Sequence, residues 1–297
     1  MKIAIVGSGF AGLTTGKGLA KYGNTVTYID TSVTQVKKLQ DESLTTFLAT
    51  QYDTITTDVT FVCVPTEVKN GKVDLTQLKH AVTLFAERLA KHRQYHVLVI
   101  RSTMPPTTAR TILLPLIEKE SGKKAGKDFG IVVQPEYTRK SSVAEDASRP
   151  WFILIGESDK KAGLVIEKLY SKFDAPIERV TLDEAEFQKY VHNSFNALKI
   201  AFFNEMRIVA EKEGWSADAV FHATAESSEA IWNPLYGVRD RGAFESDSLL
   251  NDTKALLTWG DAHAYKLEIL RAMISENQKH ESILSVKKPV VAGVKRG

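Results

Sequence analysis

Lys189, Asn193, Asn196 and Asn204 follow one another at steps of four, three and eight residues, so a helix through them carries one cation and three amides along a single line. The stretch that holds them, Ile177 to Glu213, has no glycine and no proline and is expected to be the longest helix of the chain. Val191, Phe195, Leu198 and Phe202 form its apolar stripe, and Tyr190, Ala197, Ala201 and Ile208 add apolar surface elsewhere. That pattern predicts a helix covered on more than one side. A lysine and amides on such a helix need polar partners. For Asn196 and Asn204 a solvated face or a set of internal caps is as good a reading as a functional pocket, whereas Lys189 and Asn193 are expected to face such a pocket.

A second cluster stands at the N-terminus. The apolar run Lys2-Ile3-Ala4-Ile5-Val6 reads as a strand, and Gly7-Ser8-Gly9-Phe10-Ala11-Gly12 follows it directly and opens a helix to about Tyr22. In this pattern Gly7 allows a tight turn, Gly9 lets the backbone approach a pyrophosphate, and Gly12 lets the helix pack close to the strand. The helix N-terminus, with Phe10 and Ala11 in its first turn, then faces the phosphates. The next strand, Thr25 to Ile29, ends at Asp30, an acid placed to take ribose hydroxyls and to repel a 2′-phosphate. The expected cofactor is therefore NAD.

The elements that must position these residues follow at the spacing of a doubly wound sheet. Strands are predicted at Thr60 to Val64, Val97 to Ile100, Gly130 to Val133 and Trp151 to Gly156, with helices over Leu75 to Lys91, Ala109 to Lys119 and Ser158 to Phe173. Three strands end in polar, proline-containing turns that hold Val64, Pro65 and Thr66, then Ser102 and Thr103, then Glu136. Ligands in open α/β sheets bind beyond the carboxyl ends of the strands, so these turns are expected to wall one site. The stretch from Lys119 to Lys127, with lysines interleaved with glycines, reads as a solvated loop. Beyond Gly214, helices are predicted at Ala217 to Ala225, Asn251 to Gly260 and Ala262 to Asn277, with a glycine-, aspartate- and serine-rich loop from Glu226 to Leu250. The fold class is α/β: a Rossmann-like doubly wound parallel sheet, a long central helix and a smaller all-helical domain. Its division is expected at 1–176, 177–284 and a tail 285–297.

With 297 residues, 43% hydrophobic and 25% charged, the chain has the composition of an ordinary globular protein with room for two cores. Its 39 basic and 36 acidic residues are dispersed, which offers nucleic acid no large basic footprint. No apolar run has membrane-spanning length and no basic-then-apolar leader is read at the start, so no membrane partner and a cytoplasmic location are expected. The single cysteine, Cys63, excludes an internal disulfide and a thiolate metal cluster, and its setting reads as a buried strand.

These motifs together resemble the UDP-glucose/GDP-mannose dehydrogenase family over nearly the whole chain. Besides Lys2 to Gly12, the segment Arg101-Ser102-Thr103-Met104-Pro105-Pro106-Thr107-Thr108 resembles the family's Lys-Ser-Thr-Val-Pro-x-Gly-Thr. Gln134 to Arg139 resembles its Pro-Glu-Phe-Leu-Arg element, and Ala185 to Asn193 its Ala-Glu-x-x-Lys-x-x-x-Asn helix. Asn251-Asp252-Thr253-Lys254-Ala255-Leu256 is similar to its Lys-Asp-Thr-Lys-Ala-Leu. The resemblance implies oxidation of a nucleotide-sugar alcohol by NAD, with UDP-glucose the default substrate. Lys189 and Asn193 would line the reacting carbon, Lys189 stabilising oxyanion charge. Asp252 with a water would take the alcohol proton, Thr103 would position water, and Glu136 would act as base in the hydrolytic half. It also implies a homodimer through the long helix.

The departures bear on the second oxidation. Ser248 stands where the family has its nucleophilic cysteine, and a serine hydroxyl needs a base that a thiol does not. Glu245-Ser246-Asp247 replaces glycines, Lys140 replaces a second glutamate, and the family's third domain is expected to be missing, Lys288 to Gly293 resembling its first strand. The expected reaction therefore includes a variant that stops after one oxidation. Two alternatives stand beside it: an NAD- or sugar-binding homologue with impaired turnover, and a β-hydroxyacid dehydrogenase. Against the latter, Thr181 to Gln188 lacks the glycine-rich lead-in of those enzymes.

Overall fold

The computed structural model describes residues 1–137, 147–238, 243–244 and 247–287, the side chains of 247–248 and 281–287 excepted. It resolves into two compact units, Met1–Asn193 and Ser194–Gly297.

The first unit is built on an eight-stranded sheet. Its strands are β1 (Lys2–Val6), β2 (Thr25–Asp30), β3 (Thr46–Leu48), β4 (Val59–Val62), β7 (His96–Ile100), β8 (Phe129–Val133), β9 (Ile153–Glu157) and β10 (Ile177–Thr181), in the spatial order β10-β9-β8-β7-β4-β1-β2-β3. The six from β3 to β8 are mutually parallel, while β9 runs antiparallel to β8 and β10 parallel to β9. Strand order reverses beside β1, the switch point where such sheets open a crevice. A small antiparallel hairpin, β5 (Val68–Lys69) and β6 (Lys72–Val73), turns through Asn70 and Gly71, both at positive φ.

Alternation along the strands divides the core. Leu98 and Ile100 of β7 pack with Leu78, Val82 and Phe85 of α3 (Thr76–Lys91) and Ile117 of α4 (Leu114–Ser121). Val97 and Val99 face the other side with Leu19 of α1 (Phe10–Ala20), Leu39 of α2 (Val33–Asp41) and Ile166 of α5 (Lys160–Tyr170). Both faces are covered, which is why the strands read as continuous apolar runs. Each such side chain, once buried, contributes about 1.5–3 kcal/mol. Ahead of α4 a π-helical turn spans Ala109–Leu113, so Pro115 falls in the first turn of α4, where its missing N–H costs nothing.

The long helix, α6, runs Leu182–Lys212 and passes from the first unit into the second. Its start differs from the sequence expectation, because Ile177–Thr181 is a strand paired with β9 and not the first turn of the helix. The reason is local. Glu184 accepts hydrogen bonds from Thr181 N (2.8 Å) and Thr181 Oγ1 (2.7 Å), and Glu184 N donates back to Thr181 Oγ1 (3.3 Å), a capping box that begins the helix after Thr181. The described part of the second unit beyond α6 is helical: α7 (Ala217–Ser227), α8 (Glu229–Trp232), α9 (Asp247–Ala262) and α10 (Glu268–Lys287). Glu229–Trp232 and the start of α9 thus occupy part of the stretch expected as loop. Val209, Tyr265, Leu267 and Leu270 form the small core of this unit. The aromatic stripe of α6 is not covered as expected: Phe195 is 62% and Leu198 52% exposed in the single chain. Among the described residues no helix is long and apolar enough to cross a membrane.

Candidate active site

The glycine loop leaves β1 with Gly7 at φ +87°, where a Cβ would stand 2.9 Å from the Cys63 carbonyl oxygen. At Gly12 a Cβ would meet the Gly7 carbonyl oxygen at 1.9 Å, so the first turn of α1 can pack there only as glycine. Gly9 is different. A Cβ on it would meet nothing within 4 Å, so the packing of the chain itself gives no reason for glycine, whereas close backbone approach by a ligand does. Gly9 is the N-cap of α1, with no side-chain cap and no acid in the first turn, whereas Ser32 caps α2 and Asp159 caps α5. The N–H groups of α1's first turn, with Phe10 exposed and Ala11 partly buried beside them, are therefore oriented for an anion.

Asp30, at the end of β2, is held by that loop. Its Oδ2 accepts from Ser8 N (2.8 Å) and Ser8 Oγ (2.7 Å), and its Oδ1 from Ser32 N (2.9 Å). Ser8 is fully buried, and its carbonyl is tied to Gln35 Nε2 (2.7 Å). The carboxylate is thus fixed in orientation with acceptor capacity to spare for a diol. Open space at Gly9, an uncapped helix start and an aimed carboxylate fit a dinucleotide.

The three polar turns are joined to one another. Ser102 Oγ donates to the Val64 carbonyl (2.6 Å), and Thr66 Oγ1 donates to the Thr103 carbonyl (2.6 Å), which clips the turn after β4, with Pro65 exposed in it, to the turn after β7. Arg101 reaches from the latter to the turn after β8, donating to Gln134 Oε1 (2.7 Å) and pairing with the Glu136 carboxylate. Burial works against the Arg101 charge, but Glu136 outweighs it and holds the guanidinium above its usual range. Cys63, in the same layer, is pushed up to about 12 by burial. It is no nucleophile.

Lys189 completes this wall. Its Nζ donates to the Glu136 carbonyl and stands 5.2 Å from the Tyr137 ring centroid, while Tyr137 Oη donates to Gln188 Oε1. Burial lowers the Lys189 pKa, Arg101 adds to the lowering and Glu136 opposes it. Lys189, Glu186, Ala185, Ser102, Thr103 and Met104 line one small cavity of about 10 Å³. Because Thr103 is clipped through its carbonyl, that contact leaves its hydroxyl uncommitted.

Lys189, Thr103, Glu136 and the turn of Val64 to Thr66 are therefore linked to one another by these contacts. Asn193 lies one turn beyond Lys189 on α6 and is exposed, as are Asn196 and Asn204. Asp252 is an exposed residue of α9 in the second unit, and Ser248 stands four residues before it on the same helix. The Ser248 side chain lies outside the described residues, as do Thr138 to Lys140, Glu245, Ser246 and Lys288 to Gly293. Among the described residues no group of three or more His, Cys, Asp or Glu could hold a metal ion. Sequence reasoning missed Arg101 and Glu186. An arginine directly after the fully buried strand β7 was the available signal, since a charge there needs a partner. For Glu186 the signal was an acid three residues before Lys189 beside buried Ala185.

The sheet, the glycine loop and the helix start define a Rossmann-like dinucleotide-binding fold. The family model described as UDP-glucose/GDP-mannose dehydrogenase family, NAD binding domain, matches residues 1–47 and 43–174, and that of the family's central domain matches residues 183–279. The chain belongs to the UDP-glucose/GDP-mannose dehydrogenase family, and NAD is its cofactor. It is 32% identical to the GDP-mannose 6-dehydrogenase of Pseudomonas aeruginosa over 277 residues, covering 86% of this chain and 63% of that enzyme. It is 27% identical to the UDP-glucose 6-dehydrogenase TuaD of Bacillus subtilis, covering all of this chain and 67% of that one. The crystal structure of a ternary complex of the P. aeruginosa GDP-mannose dehydrogenase superposes with a TM-score of 0.88 at 29% identity, over 96% of this chain and 71% of that one. A UDP-glucose dehydrogenase from Pyrobaculum islandicum gives 0.71 at 25% identity, over 94% and 68%. The chain thus spans about 63% of the length of the first of these relatives.

Proposed function

We propose that this chain oxidises a CH–OH group of a nucleotide sugar, with the ammonium of Lys189 as its central catalytic group. The observation that carries this reading is the position of Lys189: bound to the Glu136 carbonyl, half-buried, in one wall with Thr103 and beyond the carboxyl ends of the strands that carry the NAD loop. NAD supplies the hydride acceptor when bound. Gly9 and the α1 N-terminus hold its pyrophosphate, Asp30 its ribose diol, and the turns of Val64, Pro65, Thr66, Ser102 and Thr103 its reactive end. Lys189 stabilises charge on the alcohol oxygen as the proton leaves, and a preorganised cation of this kind acts most strongly where water is excluded. Asn193, one turn along, orients the sugar. Asp252, by its place in the resembled motif, accepts the alcohol proton through a water.

Ser248 supports a reaction that stops predominantly after one oxidation. A serine hydroxyl forms the hemiacetal equivalent at useful rate only when a base activates it, and no histidine lies near Ser248 in the sequence. Glu136, the base for water addition to the aldehyde, is already engaged in an ion pair with Arg101. GDP-mannose is the first substrate to test, because the relative at 32% identity and the structure at TM-score 0.88 are named for it. UDP-glucose, the default from the sequence, is the second. The cytoplasmic location and the homodimer through α6 belong to the same reading. The test is NAD reduction with each nucleotide sugar in turn, with an aldehyde trap present and absent. Reduction with either supports the reading, and reduction by a β-hydroxyacid alone overturns it.

A further inference from the structure

Glu186 is a buried acid that the reaction above does not use. It is 2% exposed, one helical turn before Lys189 on α6. Its Oε1 accepts from Ala109 N at 2.7 Å, and the N–H groups of Thr107 and Thr108 lie against the same carboxyl, while Oε2 has no hydrogen-bond partner in the structure. The turn that presents Ala109 N passes through Thr107 at φ +75°, a left-handed conformation that a β-branched residue adopts only under strain. Successive N–H groups around such a turn make a concave anion-binding nest. Here the anion is a side chain of the helix that also carries Lys189. The turn that ends there begins at Ser102 and Thr103, which border the same small cavity as Glu186 and Lys189.

We propose that Glu186 is a positioning residue: through its buried hydrogen bond from the Ala109 amide it fixes the end of the Ser102–Thr108 turn to the helix and so sets where Thr103 stands relative to Lys189. This rests on the functional reading given above. The other clips on this turn, Ser102 to Val64 and Thr66 to Thr103, tie it to the neighbouring strand end. Glu186 ties its far end to the Lys189 helix. Burial pushes its carboxyl up to about 7 against the pull of the three amides, which marks how much the nest has to offset. Displacing a catalytic group by about 1 Å costs on the order of a hundredfold in rate, so a loosened turn reads out in turnover before it reads out in binding.

The test compares Glu186→Gln and Glu186→Ala with the unaltered chain. Glutamine keeps one acceptor oxygen for Ala109 but replaces the unpartnered Oε2 with an amide that must find an acceptor in the buried site, whereas alanine removes the tie. The expected result is a fall in kcat of about tenfold for Gln and about a hundredfold for Ala, with Kd for NAD and KM for the sugar within about twofold. Hydrogen–deuterium exchange of the segment from Ser102 to Thr111 should rise in the same order. Unchanged kcat in both variants overturns the proposal. So does a parallel loss of NAD binding and unfolding midpoint in the Gln variant, which would make the role merely structural. If the unaltered chain reduces no NAD, the functional reading fails separately; the exchange measurement still decides, and unchanged protection in both variants overturns the clamp.

Discussion

Lys189 gives its hydrogen bond to the backbone carbonyl of Glu136, while the carboxylate of the same residue is taken by Arg101. One residue of the β8 turn thus serves two cations in different ways. Arg101 is balanced by a carboxylate in a part-buried pair. Lys189 is held by a carbonyl dipole near the Tyr137 ring, and in the function proposed above its charge serves a substrate oxygen.

Replacing that cation should separate chemistry from binding. Lys189→Ala is expected to lower kcat by roughly 10²–10³ or more, the range for loss of an oxyanion-stabilising group. Kd for NAD, measured by fluorescence titration, should change less than about twofold, because the glycine loop is untouched. The sign of the pH effect follows from burial, which lowers the Lys189 pKa. The ammonium is the active form, so kcat should be full at lower pH and decline on the alkaline side before an ordinary lysine would deprotonate.

The glycines should behave unequally. Gly9→Ala places a methyl in open space, so the thermal midpoint should hold while NAD affinity falls at least about tenfold, the methyl intruding where phosphate approaches. Gly12→Ala drives a Cβ to 1.9 Å from the Gly7 carbonyl oxygen, so the fold itself should weaken. Calorimetry beside NAD titration distinguishes the two.

Thr107 occupies a left-handed conformation at the position where the resembled family segment carries glycine. Thr107→Gly removes strain of roughly 1–2 kcal/mol and adds roughly 0.5–1 kcal/mol of unfolded-state entropy, so a net gain of about 1 kcal/mol is expected. A higher urea midpoint with unchanged slope is the readout, and kcat should be retained.

Phe195 and Leu198 are 62% and 52% exposed in the single chain. In a two-fold dimer through α6 each would be buried, and Leu198→Glu would place two like charges across one symmetric interface. Sedimentation should show a dimer for the unaltered chain and monomer for the variant at the same concentration. Monomer in both would remove the dimer from this account.

What the sequence made legible was local. Gly7 to Gly12 between two strands, with Asp30 behind them, is read from neighbours within one βαβ unit. The helix line of Lys189 and Asn193 follows from spacing alone. The start of α6 is not legible from the absence of glycine and proline, because the decisive signal, Thr181 with Glu184 three residues on, is a cap and not a period. The hairpin at Asn70-Gly71 carries a two-residue turn signature that composition reading passed over. The Glu136 contacts with Arg101 and Lys189, and that of Glu186 with Ala109, join residues 35, 53 and 77 apart. No motif of one segment encodes such contacts; the order of strands in the sheet creates them.

The central claim is that the Lys189 wall oxidises a nucleotide sugar, and that without a cysteine at position 248 the oxidation stops predominantly at the aldehyde. The direct measurement is NADH formed per GDP-mannose or UDP-glucose consumed, with an aldehyde trap, for the unaltered chain, Lys189→Ala and Ser248→Cys. The account predicts one NADH and one trapped aldehyde per sugar, none with Lys189→Ala, and a yield approaching two with Ser248→Cys. Two NADH per sugar from the unaltered chain, or an unchanged rate in Lys189→Ala, would contradict it.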